Sequence, residues 1–160
     1  MMVLCTFSFS LPHVCDGDKA EGERMIESET ASRIAVSEYD IIGIWEATSG
    51  LYQVQIMQIS GLYCGKIIWL KESLDYQGKP IRDWLNPNPS LRGQYVTGSK
   101  CISGLQYHGG SRFGSGKVYD FISGKRYSAY IELESKNKAR LRGFTGIPLF
   151  GQTEYFYRVK

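Results

Sequence analysis

From residue 43 onward the apolar positions recur with a period of two, the spacing of strands that bury one face. Trp45 and Ala47 share a face. After a turn at Ser49-Gly50, Tyr52, Val54 and Ile56 alternate with Gln53 and Gln55. After a second turn at Ser60-Gly61, Tyr63, Gly65, Ile67 and Trp69 alternate with Cys64, Lys66 and Ile68. The alternation lapses over residues 72–92, where Gly78-Lys79-Pro80 and Asn86-Pro87-Asn88-Pro89 are turn signals. It resumes in short Gly-punctuated strands at 94–97, 100–105 and 117–119. It is cleanest where Tyr127, Ala129, Ile131 and Leu133 alternate with Arg126, Ser128, Tyr130 and Glu132. Strands at 139–144 and 152–159 complete the series, the last with Phe156 and Arg158 on one face.

This pattern predicts an all-β fold of eight to ten strands with no second helical unit. A single antiparallel β-barrel is the economical solution, because closure leaves no strand edge unpaired. Closure also brings the first strand beside the last. Trp45 and Arg158 are then predicted to meet in a cation–π contact, with Phe156 beside them, closing the barrel floor. The barrel domain runs from 41 to 160.

Upstream the composition changes. Residues 1–40 hold three basic and eight acidic side chains, a net −5, whereas 41–160 hold sixteen and eight, a net +8. Within 16–40, Met25, Ile26, Ile34 and Ala35 fall on one helical stripe. A short helix and a flexible arm are both compatible with that stretch. Residues 1–15 contain no Lys, Arg, Asp or Glu. This run has the length of a signal-peptide core and is too short to span a bilayer. Read as a leader, it predicts a secreted or periplasmic protein; the alternative is a docked or disordered N-terminal segment.

The 160-residue length suits one domain with a real core. The basic barrel can attract anionic ligands or lipid head groups, or its charge can serve solubility alone. No nucleic-acid partner and no stable membrane insertion are expected. Among four cysteines, Cys64 and Cys101 fall in the barrel, as a disulfide or as two buried thiols. With His13 and His108 the only histidines, no metal site is expected. Ser/His or Cys/His catalysis would need His108, in a Gly-rich stretch. Gly114-Ser115-Gly116-Lys117 lacks the spacing of a phosphate loop. The reading is therefore non-enzymatic, without cofactor.

A small barrel with an aromatic interior can hold one small apolar or amphipathic ligand, an acidic lipid by the net charge. The cavity candidates are Tyr52, Val54, Ile56, Tyr63, Ile67, Trp69, Tyr127, Ala129 and Ile131; plain core packing is the competing reading. The long connection carries Asp83, Trp84, Asn86 and Arg92 as a lid, with Trp84 as the apolar anchor over the barrel mouth. The alternative function is an interaction module that binds a macromolecule or the cell envelope through its basic face or the 72–92 loop.

Several short motifs occur in a fixed order. They are Gly43-x-Trp45, Gly65-Lys66-Ile67-Ile68-Trp69-Leu70, Asp83 with Asn86-Pro87-x-Pro89-x-Leu91-Arg92, and Gly116-Lys117-Val118-Tyr119-Asp120. Gly124-Lys125-x-Tyr127, Leu141-Arg142-Gly143-Phe144-x-Gly146-x-Pro148-Leu149-x-Gly151 and Phe156-x-Arg158 follow. In these residues the chain resembles a bacterial family of secreted proteins catalogued as domain of unknown function 2147, over about 43–158. The resemblance implies a lipocalin-like barrel and export from the cytoplasm, and no particular activity. The chain departs from that pattern at Asn88, where Asp is usual after Asn-Pro, at Phe121 for Pro, and at Phe156 for Trp.

Overall fold

A computed structural model describes residues 36–160. The expectations for the apolar run 1–15 and for most of the 16–40 stretch lie outside the described residues.

The period-two pattern folds into ten strands: β1 (Gly43–Ala47), β2 (Tyr52–Ile59), β3 (Leu62–Leu70), β4 (Arg82–Asp83), β5 (Gln94–Tyr95), β6 (Lys100–Tyr107), β7 (Arg112–Asp120), β8 (Lys125–Ser135), β9 (Lys138–Phe144) and β10 (Gly151–Arg158). Eight of them close a barrel in the order β1-β10-β9-β8-β7-β6-β3-β2, every pair antiparallel. The remaining two, β4 and β5, pair with each other inside the long connection between β3 and β6. A 3-10 turn, Pro89–Leu91, lies between them, started by Asn88, whose Oδ1 accepts from the Ser90 N–H.

In an up-and-down barrel the connections alternate between two ends. At one end, here the floor, β10 finishes beside the start of β1, with Trp45 opposite Arg158 in register. The Arg158 guanidinium lies 4.4 Å from the centre of the Trp45 ring. It donates to Lys136 O at 2.7 Å, to Ile42 O at 2.9 Å and to Asp40 O. The indole Nε1–H donates to Ile41 O at 2.8 Å, and Ile41 is itself fully buried. Gly43 explains the Gly-x-Trp spacing. Its φ of +149° suits glycine, and a Cβ there would stand 2.6 Å from Lys160 O. Phe156, two residues before Arg158, faces inward on the same side of β10.

The interior is filled. Trp45, Tyr63, Phe113, Leu105, Leu133 and Val54 are each less than 2% exposed. The rings of Tyr63 and Phe113 meet edge to face at 5.1 Å, and Tyr52 meets Phe156 the same way at 5.9 Å. Space is tight enough that glycine is required at inward positions. A Cβ on Gly65 would lie 2.9 Å from Val54 Cγ1, and one on Gly116 would lie 2.6 Å from Leu105 Cδ2. The void bounded by Trp45, Ile56, Ile102, Ile131, Leu141 and Phe156 among others measures about 10 Å³, room for one water at most.

Two strand assignments differ from the sequence reading. β7 was expected only over 117–119 but starts at Arg112. Gly114 and Gly116 sit in a bulged part of this strand, where Ser115 takes φ +61°. In β3 the pairing slips between Gln53 and Val54, so that Gln53 opposes Trp69 while Val54 opposes Ile67. One extra residue reverses the inward–outward parity. Leu70 turns toward the core and Trp69 is left 41% exposed on the outer face.

Candidate functional site

The second barrel end carries four connections: 48–51, 71–99, 121–124 and 145–150. The longest forms a flap through β4 and β5. Asp83 roots this flap on the outer barrel wall. Its side chain is 3% exposed, accepting the Tyr119 O–H at 2.9 Å on Oδ1 and the Asn86 amide at 2.7 Å on Oδ2. Asn86, also buried, accepts from the Asn88 N–H through Oδ1, and its carbonyl accepts from Arg92 Nε at 2.8 Å. Ile81 and Val96 pack against the barrel core from the two sides of the flap. Burial first, then the hydrogen bond to Asp83, pushes the Tyr119 phenol up to about 12.

Between flap and wall lies an open cleft of about 950 Å³, in the size range of small-molecule sites. Its wall follows from strand parity. Val118 faces the core, so Lys117 and Tyr119 face outward. Ser103 lies opposite Lys117, and Arg126 opposite Tyr119, on the same outer face. Five cations line the cleft: Arg82, Arg92, Lys100, Lys117 and Arg126. Among the described residues, no Asp or Glu lines it. The ion pairs formed among the described residues, Glu134–Lys138 and Glu132–Arg140, are on β8 and β9, and none involves a cleft cation.

Neutral partners hold three of these cations in place. Arg82 donates to Gly93 O at 2.6 Å and to the Tyr95 hydroxyl at 3.0 Å, and lies 4.3 Å from the Tyr95 ring centre. Arg92 is fixed by Asn86 O. Arg126 sits 5.8 Å over the Tyr119 ring. Partners of this kind orient a guanidinium without neutralising it, so the positive potential is left for a ligand.

The sequence-derived residues fall into four groups. Trp45 and Arg158 meet at the floor, and Phe156 lines the small void beside Trp45. Val54, Ile56, Tyr63, Ile67, Ala129 and Ile131 are buried, but they meet one another and their neighbours as packed core, so the internal cavity expected from them is corrected to a filled interior. Tyr52 and Tyr127 are half-buried near the loop end, and Trp69 belongs to the outer face for the bulge reason given above. In the flap, Asp83, Asn86 and Arg92 form one hydrogen-bonded unit. Trp84 is no anchor over the mouth: it is 67% exposed, with its ring against Gly93. The polar root of Asp83 and Asn86 takes the part assigned to it.

Sequence reasoning did not single out Arg82, Lys100, Lys117 and Arg126 as a group. They are spread over a flap strand and three barrel strands, and only the fold brings them together. The +8 charge of 41–160 was the one available signal. Of the nucleophile candidates, His108 Nε2 lies 3.3 Å from Ser115 Oγ on the surface. No carboxylate orients that ring among the described residues. Cys64 and Cys101 are both free, and burial pushes the Cys101 thiol up to about 12. No group of three or more potential metal ligands occurs among the described residues.

Comparison with known proteins agrees with this architecture. A protein of Helicobacter pylori, HP1028, described as belonging to the lipocalin family, is 25% identical. The match covers 74% of this chain and 82% of that one, with a TM-score of 0.64. Among curated proteins none matches. Residues 43–158, from the Gly-x-Trp strand to the closing arginine, match the family described as "Uncharacterized protein conserved in bacteria (DUF2147)", and the chain belongs to that family.

Proposed function

We propose that this lipocalin-like barrel is a non-enzymatic binding protein whose site is the basic cleft under the flap. The ligand is a small molecule with a phosphate or carboxylate head group and an amphipathic body. One observation carries this reading: among the described residues, five cations and no carboxylate surround about 950 Å³ of open space. The void among the core side chains of the barrel interior measures about 10 Å³. The acidic ligand suggested by the net charge is retained, and its position moves from the interior to the cleft. The apolar run 1–15 supports a location outside the cytoplasm, which N-terminal sequencing of protein from the native cell tests.

Calorimetric titration with inorganic pyrophosphate is the direct experiment. Saturable binding that weakens as salt rises is the expected result. The Lys117→Gln/Arg126→Gln variant should bind at least about tenfold more weakly, since each lost charge-assisted contact is worth roughly 1.5 kcal/mol or more. Absence of binding at low salt, or undiminished binding by the double variant, would overturn the assignment.

A further inference from the structure

The loop end that holds the cleft also exposes large apolar side chains at its tips. Tyr76 is 95% exposed, Ile122 89%, Leu149 75% and Phe150 72%. Water-exposed apolar groups on loose loops need no explanation; these sit on turns held by internal hydrogen bonds. Asp75 Oδ1 accepts from the Gln77 and Lys79 N–H groups around Tyr76. Asp120 accepts from the Ile122 N–H and the Ser123 hydroxyl. Arg142 donates to Pro148 O, Leu149 O and the Thr153 hydroxyl. The three turns therefore present apolar side chains to solvent in a fixed geometry, all at one end of the barrel.

Charge at this end is predominantly positive. Segments 71–100 and 117–126 carry eight Lys or Arg against four Asp or Glu, and two of those carboxylates, Asp75 and Asp120, are engaged in holding the turns. Apolar tips projecting beyond a basic cleft match the layering of an anionic bilayer. Hydrocarbon begins below the headgroup phosphates, so the tips would enter first while the cations stay at phosphate depth. The exposed Trp84 indole on the flap is the amphipathic ring type that concentrates at that boundary.

We propose that the loop end docks on the surface of an anionic membrane, with Tyr76, Ile122, Leu149 and Phe150 entering the interface and the cleft cations meeting lipid phosphates. This rests on the anion-binding reading of the cleft and names the source of the anion. Peripheral docking of this kind adds no membrane-spanning segment.

The test uses the whole chain with vesicles of phosphatidylcholine alone, or of equal parts phosphatidylcholine and phosphatidylglycerol. Co-sedimentation with the anionic vesicles, accompanied by a blue shift of Trp emission, is expected; the neutral vesicles should bind little. Ile122→Ser/Phe150→Ser should lower vesicle partitioning by about tenfold or more while leaving pyrophosphate affinity unchanged. Lys117→Gln/Arg126→Gln should lose about fivefold per cation toward vesicles and also lose pyrophosphate. Both pairs are at the surface, so unchanged melting temperatures will show that the variants are folded. Full vesicle binding by the tip variant overturns the docking proposal. So does pyrophosphate binding without vesicle binding, which leaves the cleft reading intact. Failure of both ligands overturns both proposals. Dimerisation that the tip substitutions abolish would assign the tips to a second copy of the chain and likewise overturn membrane docking.

Discussion

The two ends of this barrel use arginine in opposite ways. At the floor, Arg158 is consumed by the fold: three main-chain carbonyls accept from it and Trp45 lies under it. At the loop end, Arg82, Arg92 and Arg126 are oriented by carbonyls, a hydroxyl and aromatic rings, with no acidic partner among the described residues, beside Lys100 and Lys117. A guanidinium whose donors are spent on two other chain segments, 40–42 and Lys136, ties both to its own strand. One that is only oriented keeps its charge available. The same residue type thus marks structure at one end and recognition at the other, and partner chemistry tells the two apart.

Substitution at the floor has the largest expected effect. Arg158→Ala removes the cation–π contact and three hydrogen bonds to main-chain carbonyls, a loss of about 2–3 kcal/mol in unfolding free energy. Denaturant unfolding should show it, while pyrophosphate affinity of the folded protein stays unchanged. A drop in affinity would mean that the two ends are coupled.

Filling the interior is the next largest perturbation. Gly116→Ala places a methyl against Leu105 and is expected to cost about 2 kcal/mol, as overpacking does. A neutral effect would imply spare volume in the barrel and revive an internal site.

The flap root should respond to pH. The Tyr119 phenol is raised to about 12 from an ordinary value near 10. A raised acid is favoured in its neutral form by the fold. Its contribution is therefore complete below pH 10 and is lost between about pH 10 and 12. Tyr119→Phe should cost about 1–2 kcal/mol near neutral pH, because Asp83 loses a donor, and should flatten the alkaline limb of the stability curve. An unchanged limb would detach the flap root from Tyr119.

The smallest effect belongs to Trp69. On the outer face, Trp69→Ser should change stability by less than about 0.5 kcal/mol. A core-sized loss would contradict the bulge that turns it outward.

Much of the barrel was legible from alternation alone. Tyr63, Ile67 and Ile131 announce their inward faces, and Gly43, Trp45 and Arg158 announce the closure. What alternation could not convey is parity after a bulge, which misplaced Trp69. It also cannot convey volume: Gly65 and Gly116 reveal a filled interior only when their opposing side chains, Val54, Ile102 and Leu105, are known. Trp84 was misjudged because a large apolar residue in a long loop suggests an anchor, whereas the buried carboxylate of Asp83 does the anchoring through partners on other elements. The cleft was hidden for a related reason. Its cations come from segments that touch only after strands β6, β7 and β8 align and the flap folds back on them.

A ligand of this protein enters the cleft and not the barrel interior if the basic cleft is the binding site. Methyl and amide NMR during titration with dodecyl phosphate, whose acidic head and alkyl tail suit either place, tests this most directly. The prediction is saturable shifts at Gly93, Lys100, Lys117 and Arg126, with the methyl groups of Val54, Ile131 and Leu141 unmoved. Shifts centred on those interior methyls, with the cleft silent, would contradict it.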